Sequence, residues 1–208
     1  YHVLAPPPGA LCTLACPSCF FLSKALLSPG RRFRMADELL ETYIKQLLES
    51  HRTPQVTVGW QGGEPTLMGV DFFRRSVELA QSFARPGQRI SHTMQTNGTK
   101  LDAEWCEFLR EHAFLVGLSV DGPREIHDAY RVDKGGKGSF DDVLRGRRAL
   151  VEHGVDWWKG MGCESSIGGP PSYGPKLMGV SGHVNRPGVY EVDLGIPLRT
   201  LVEEDAPK

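Results

Sequence analysis

QVTVGWQGGEPT, residues 55 to 66, is the stretch of sequence that decides the fold. Its first half, Gln55–Trp60, is short and rich in β-branched residues, which predicts a strand, and the glycine pair after it predicts a turn at the strand's end. Amphipathic helical patterns flank this stretch, one over residues 35 to 50 and one from Asp71, the expected N-cap. Alternating strand and helix patterns indicate an α/β fold around a parallel sheet.

The alternation continues to about residue 155. Three more strands are predicted, at His2–Ala5, Arg89–Gln95 and Phe114–Val120. Asp102 and Ser139 are the expected caps of two further helices. The sequence thus predicts about four βα units.

After that point the sequence changes in character. Residues 157 to 175 are rich in Gly, Pro and Ser and show no period, which is typical of a junction. Two strands, Leu177–His183 and Val189–Val192, and a short helix after Pro197 are predicted next. We therefore expect a first domain over residues 1–155, a junction over 156–175 and a small ββα segment over 176–208.

The composition excludes several classes of protein. Of the 208 residues, 40% are hydrophobic and 24% charged, as in ordinary globular proteins, and the net charge is -1. Without a basic block or an apolar run of roughly 18 residues, we expect no binding to nucleic acid and no membrane insertion. The chain starts at Tyr1 instead of Met, so we expect its N-terminus to be cut.

Three of the five cysteines crowd into CTLACPSC, residues 12 to 19, while Cys106 and Cys163 stand apart. Thiolates are soft ligands for zinc or iron–sulfur clusters, and three of them leave a metal position open. The alternatives are a closed zinc site completed by a distant His or Cys, and buried unligated thiols. The odd, clustered cysteines favour a reducing, cytoplasmic location over a disulfide framework.

The glycine turn is the second chemical signal. Two glycines allow a ligand to approach the backbone, and Glu64 adds a negative charge suited to an ammonium group. The alternative is a plain turn with Glu64 in solvent. Because the cysteine loop also follows a strand, both features are expected at the same edge of the sheet.

Several motifs together resemble the radical S-adenosylmethionine enzymes, and within them the anaerobic sulfatase-maturating enzymes. They are the cysteine spacing, WQGGEPTL (60–67), QTNGT (95–99), LSVDGPREIHDAYR (118–131) and GKGSFDDVLRG (136–146). The resemblance implies an incomplete TIM-like (β/α) barrel. It also implies that Cys12, Cys16 and Cys19 bind three irons of a [4Fe–4S] cluster whose fourth iron is chelated by S-adenosylmethionine.

The same resemblance assigns roles around S-adenosylmethionine. Ser18 would contact the adenine, where the family usually has an aromatic residue, and Gly63 would meet the methionine end with Glu64 near its amino group. Ser119 would reach the ribose or carboxylate and Arg131 would pair with the carboxylate. Without the resemblance, Ser119 is a plain strand-end hydroxyl and Arg131 a surface charge. Two more side chains are expected to line the cavity, Gln95 and Asn97, although Asn97-Gly98 also fits a turn.

The implied reaction is one-electron reduction of the cluster, homolysis of the C5′–S bond of S-adenosylmethionine and hydrogen abstraction by the 5′-deoxyadenosyl radical. In the subfamily, a Cys or Ser of a sulfatase peptide is oxidised to formylglycine, and a donor such as flavodoxin or ferredoxin supplies electrons. The subfamily's catalytic acid and its further cluster cysteines are not visible here. The alternatives are another peptide-modifying member of the superfamily, or a non-catalytic fragment.

The tail carries a second resemblance. KLMGVSGHVNRPGVYEVDLGIPLRTLVEE (176–204) resembles the β-grasp (SLBB) region of the flavin-carrying subunit of NADH-quinone oxidoreductase, and the similarity begins near residue 157. The flavin and NADH loops of that oxidoreductase are missing, so NADH oxidation is not expected, and His183 is given no catalytic role. The join predicts a gene fusion, a frameshift product or an assembly chimera.

Overall fold

The computed structural model describes residues 4–17, 19, 34–157, 175–180 and 188–193. The chain divides into two compact units, Tyr1–Val120 with Arg124–Trp158, and Asp121–Pro123 with Lys159–Lys208. The first unit holds a four-stranded sheet and the second a two-stranded sheet. Within the described residues, no helix is long and apolar enough to cross a membrane.

Strands and helices alternate along the first unit. The elements are β1 (Leu4–Ala5), α1 (Asp37–Ser50), β2 (Gln55–Trp60), α2 (Val70–Phe83), β3 (Arg89–Thr96), α3 (Ala103–Glu111), β4 (Phe114–Leu118), α4 (Arg124–Tyr130) and α5 (Phe140–Glu152). All four strands are parallel and lie side by side in chain order. The predicted α/β fold is therefore confirmed.

The register brings the carboxyl ends of the strands to one edge. Ala5 pairs with Trp60, which pairs with Met94, which in turn pairs with Val116. Beyond β4, the backbone N–H of Val116 donates to the carbonyl of Asp156 at 3.0 Å, beside a parallel bridge to Trp157. The loops that follow β1, β2, β3 and β4 consequently meet at this edge, where ligands of open α/β sheets bind.

Aromatic side chains form the core between the sheet and its helices. Phe73 of α2 is fully buried, and its ring packs edge-on against Trp60, Trp105 and Phe114 at centroid distances of 5.6, 5.4 and 6.5 Å. Burying such a ring stabilises the fold by roughly 1.5–3 kcal/mol. The core therefore fixes α2 and α3 on one face of the sheet.

The opposite face of the sheet is more open. A groove of about 130 Å³ there is lined in part by Thr93, Gln95, Leu115 and Gly117. Gly117 leaves room for its neighbour, since a Cβ at this position would lie 2.1 Å from Oε1 of Gln95. This face thus presents polar side chains next to the edge where the loops meet.

One of the three cap predictions was wrong. The N-cap of α2 is Gly69, and Asp71 lies in the first turn, because the 3₁₀ turn Pro65–Met68 leads directly into the helix. Ser139 is the N-cap residue of α5, as predicted, but its side chain makes no capping hydrogen bond because its hydroxyl is engaged by other residues. The Asp102 cap is confirmed, with its carboxylate accepting from the N–H of Trp105 at 3.0 Å.

The second unit contains an antiparallel pair, β5 (Pro175–Val180) and β6 (Gly188–Asp193), in which Met178 pairs with Tyr190. The pair agrees with the predicted tail strands, with shifted ends. His183 and the helix expected after Pro197 lie outside the described residues. The domain boundaries stay a prediction.

Candidate functional site

The loop after β1 carries the three clustered thiols. Cys12, Cys16 and Cys19 are each partly exposed and form no disulfide. Burial raises the pKa of the Cys12 thiol and that of Cys16, and the negative charges of the neighbouring thiolates add to both shifts. Because the thiolates repel one another, a bound cation would relieve the repulsion and keep them deprotonated.

The cysteine loop pairs with the segment after α4. Leu14 forms an antiparallel bridge to Asp133, and the N–H of Ala15 donates to the carbonyl of Val132 at 2.8 Å. Arg131 is thereby brought close enough to Cys16 for its positive charge to act against the raised thiol pKa. The structure thus places a predicted carboxylate-binding residue beside the predicted cluster loop.

The glycine turn after β2 packs directly on the cysteine loop. Gly63 has φ +57°, and a Cβ there would lie 2.3 Å from the carbonyl oxygen of Leu11 and 2.6 Å from that of Gly9. The N–H of Glu64 also donates to the Leu11 carbonyl at 2.8 Å. Only glycine combines this backbone conformation with so close an approach.

Glu64 is buried, with 1% of its surface exposed. Its Oε1 accepts from the N–H of Thr66 at 3.2 Å and from the hydroxyls of Thr66 and Thr96 at 2.7 and 2.6 Å, and its Oε2 accepts from the N–H of Asn97 at 2.8 Å. Burial raises the pKa of Glu64, while these hydrogen bonds oppose the rise. The carboxylate ties the turn after β2 to the end of β3, and its contact with a ligand amine stays a prediction.

Ser119 and Gln95 meet at the ends of β4 and β3. The Nε2 of Gln95 donates to the Ser119 hydroxyl at 3.0 Å, and the N–H of Ser119 donates to the carbonyl of Thr96 at 2.9 Å. Both side chains are partly exposed. These two separately predicted residues therefore lie at the same edge as Glu64, where Gln95 orients the serine hydroxyl.

Sequence reasoning missed the threonines that connect these motifs. Thr13 Oγ1 lies 3.1 Å from Thr99 Oγ1, and Thr66 and Thr96 bind Glu64. All four are within two residues of a motif residue that was singled out, which is the signal that could have found them. Hydroxyls next to a buried carboxylate or amide usually satisfy its hydrogen bonds.

Two cysteines were set apart from the cysteine loop in the sequence, Cys106 and Cys163. Cys106 lies fully buried in α3, where desolvation raises the pKa of its thiol to about 11. Ser18 and Cys163 lie outside the described residues, so the adenine contact of Ser18 stays a prediction.

The three thiols of the cysteine loop have the donor chemistry of an iron–sulfur cluster. Among the residues that the structure describes, no three His, Cys, Asp or Glu side chains are close enough to hold one metal ion. An iron–sulfur cluster binds each thiolate on a different iron, so its ligands are spread more widely. The thiol donors therefore fit a cluster, and the closed zinc site, which needs a further ligand from elsewhere in the chain, stays an alternative.

The parallel sheet, the cysteine loop and the glycine turn at its carboxyl edge match one family. Residues 7–162 match the radical SAM superfamily, whose members use S-adenosylmethionine and a [4Fe–4S] cluster, and the chain belongs to this superfamily.

Within the superfamily, the chain is similar to anaerobic sulfatase-maturating enzymes. A serine-type enzyme from Bacteroides thetaiotaomicron is 46% identical over 157 residues, which cover 75% of this chain and 38% of the relative. A cysteine-type enzyme from Clostridium perfringens is 38% identical over 159 residues, with 74% and 42% covered. The chain spans about two fifths of the length of these relatives.

A solved structure gives the same result. Native anSMEcpe with bound AdoMet and Cp18Cys peptide superposes with a TM-score of 0.67 at 36% identity, over 75% of this chain and 41% of that one. The four-unit sheet is thus part of a radical SAM fold.

Proposed function

We propose that this chain carries the cluster and S-adenosylmethionine site of an enzyme of the sulfatase-maturase type. In this proposal Cys12, Cys16 and Cys19 hold a [4Fe–4S] cluster. When bound, the two cofactors supply reductive cleavage of the C5′–S bond and hydrogen abstraction from the substrate. The observation that carries the proposal is the meeting of the cysteine loop, the Gly63 turn and Arg131 at one sheet edge.

The surrounding residues hold S-adenosylmethionine in this proposal. The Gly63 turn, which is partly exposed beside the cysteine loop, meets the methionine end of the ligand. The guanidinium of Arg131 pairs with the ligand carboxylate, and the Ser119 hydroxyl, oriented by Gln95, accepts or donates a hydrogen bond to the ribose or carboxylate. Ser18 meets the adenine. Glu64 acts mainly by fixing the turn, since its oxygens already accept four hydrogen bonds.

The substrate of the whole enzyme is a peptide in this proposal. The serine-type and cysteine-type relatives named above support a Ser or Cys side chain as the target, oxidised to formylglycine, and a neighbour was solved with a peptide bound. A one-electron donor such as flavodoxin or ferredoxin reduces the cluster. Exposed thiols and an iron–sulfur cluster suit the reducing cytoplasm.

The tail forms a separate module in this proposal. Residues 176–208 make a β-grasp-like segment of the kind found in the flavin-carrying subunit of NADH-quinone oxidoreductase, joined to the radical SAM core of residues 1–155 through a junction at 156–175. The antiparallel pairing of β5 with β6 supports the strand part.

Anaerobic reconstitution tests the proposal. The chain is loaded with iron and sulfide, reduced with dithionite in the presence of S-adenosylmethionine, and assayed for 5′-deoxyadenosine by chromatography. We expect product from the native chain and from Cys106→Ala, and none from Cys16→Ala. Iron uptake that survives Cys16→Ala but is lost in Cys106→Ala would contradict the assignment. Loss of two hydrogens from a serine peptide, seen by mass spectrometry, tests the substrate.

A further inference from the structure

The side-chain amide of Asn97 lies between the end of β3 and the cysteine loop. Its Nδ2 is 3.6 Å from Sγ of Cys12 and 2.9 Å from Oγ1 of Thr13. A separation of 3.6 Å suits an N–H···S hydrogen bond because sulfur is larger than oxygen. Since Nδ2 carries two hydrogens, it donates to both acceptors.

The orientation of this amide is fixed by its other end. Oδ1 of Asn97 accepts from the backbone N–H of Thr99 at 3.0 Å and from the Thr99 hydroxyl at 2.9 Å. A backbone N–H can only donate, so Oδ1 must face Thr99 and Nδ2 must face the cysteine loop. The group next to the Cys12 sulfur is therefore a donor.

The backbone of Asn97 is also held in place by a hydrogen bond. Its backbone N–H donates to Oε2 of Glu64 at 2.8 Å, and its side chain is buried, with 6% exposed. The side-chain amide therefore has little freedom to turn away from Cys12. Its contact with the Cys12 sulfur is already formed before a ligand binds.

We propose that Asn97 is a positioning residue for Cys12, which it holds through its side-chain amide, and that its N–H···S hydrogen bond stabilises the reduced form of a cluster bound there. The second half of this proposal rests on the proposed function. Reduction adds negative charge, part of it on the thiolate sulfurs, and a donor stabilises the more negative state more strongly.

Three variants separate the contributions. Asn97→Asp keeps the size and the oxygen that faces Thr99 but removes the donor and adds a charge. Asn97→Leu removes the donor without adding a charge. Thr99→Val is the matched control, because it removes a hydroxyl from the same network and leaves the Asn97 donor beside Cys12.

The first readout is the cluster's redox equilibrium. Each reconstituted protein is poised at the potential that leaves the native cluster half reduced, and the reduced fraction is measured by electron paramagnetic resonance. We expect the ratio of reduced to oxidised cluster to fall about threefold or more in both Asn97 variants and to stay unchanged in Thr99→Val. A fall in Asn97→Asp alone would reflect its charge and would overturn the hydrogen-bond role.

The second readout needs no cluster. Iodoacetamide alkylation of Cys12 in the metal-free chain is followed by mass spectrometry, with the buried Cys106 as internal reference. Because the Asn97 donor also lowers the pKa of the Cys12 thiol, the rates are compared on the high-pH plateau of each variant, where Cys12 is fully deprotonated. There we expect a several-fold faster reaction in Asn97→Leu than in Thr99→Val, and equal plateau rates would overturn the positioning role. If the native chain takes up no iron, the proposed function fails, and the redox half of this proposal fails with it. The alkylation rates then decide by themselves whether Asn97 holds the loop.

Discussion

The backbone N–H of Asn97 donates to Oε2 of Glu64 at 2.8 Å, so the end of β3 is tied to the turn that follows β2. Asn97 continues the connection to Cys12 in the loop after β1. Three consecutive loops of the sheet are thus joined by hydrogen bonds through buried polar side chains. Such a network is rigid when every member is satisfied and costly when one is removed.

Replacement of Glu64 should therefore weaken the fold. In Glu64→Gln an amide nitrogen replaces one carboxylate oxygen and must then face a group that itself donates. The nitrogen meets the fewest donors at the position of Oε2, which faces the N–H of Asn97. We expect the free energy of unfolding to fall by about 1–3 kcal/mol, measured by urea denaturation. The exposed Glu49→Gln is the control and should change it by less than about 0.5 kcal/mol. Equal stability of the two variants would show that Glu64 does not clamp the turn.

Gly63→Ala should affect both the fold and the cysteine loop. The new Cβ would meet the carbonyls of Leu11 and Gly9, in addition to the cost of a positive φ. Gly87→Ala isolates the conformational cost, because Gly87 has φ +80° and no atom within 4 Å of a Cβ. We expect a loss of about 1 kcal/mol for Gly87→Ala and clearly more for Gly63→Ala, by urea denaturation. Iron uptake should fall only in Gly63→Ala. Similar stability and iron uptake in the two variants would show that the contact of Gly63 with the cysteine loop is not important.

His92 should make the fold sensitive to acid. It is 7% exposed, its ring stacks on Phe114 at 4.9 Å, and burial, with a smaller contribution from the charge of His112, lowers its pKa from 6.5 to about 4. The protonated form is therefore disfavoured in the folded state but not in the unfolded chain. The free energy of unfolding therefore keeps this contribution above pH 6.5. It falls by up to about 3 kcal/mol as the pH is lowered from 6.5 towards 4.

The variant His92→Phe tests this origin. It keeps an aromatic ring against Phe114 and removes the buried group that takes up a proton. The replacement breaks no hydrogen bond at Nδ1, because Nδ1 of His92 has no hydrogen-bond partner. The loss of unfolding free energy between pH 6.5 and 4 should become smaller than in the native chain. Val151→Ala, at an exposed position that carries no titrating group, is the control and should leave the pH dependence unchanged. A His92→Phe curve parallel to the native one would place the acid sensitivity elsewhere.

Ser139 should contribute to the position of Arg131. Its hydroxyl donates to the carbonyl of Arg131 at 2.8 Å and lies 3.0 Å from Nε2 of the buried His127. We expect Ser139→Ala to lower the free energy of unfolding by about 1–3 kcal/mol and to weaken S-adenosylmethionine binding measured by calorimetry. Ser82→Ala, which removes a hydroxyl bonded within α2, should leave binding unchanged. Unchanged binding in Ser139→Ala would remove this link to Arg131.

Local patterns were sufficient for most of the first unit. β2 spans Gln55–Trp60 as predicted, because its β-branched residues and the glycine pair after it mark the strand. β3 differs from the prediction by one residue at its end. The sequence did not predict α4, Arg124–Tyr130, as a helix, since it is only seven residues long and has no apolar stripe to mark it. Short helices of this kind are stabilised by tertiary contacts such as the His127–Phe140 ring contact.

The amino-acid sequence by itself determined which chemical groups this protein offers. Cysteines at 12, 16 and 19, the glycine pair and Arg131 are all readable from the sequence, because each belongs to a short motif. Only the tertiary structure decided how they are used. It directs Glu64 into a buried set of hydrogen bonds and turns the Asn97 amide towards Cys12, because parallel strand order brings loops from distant parts of the chain to one edge.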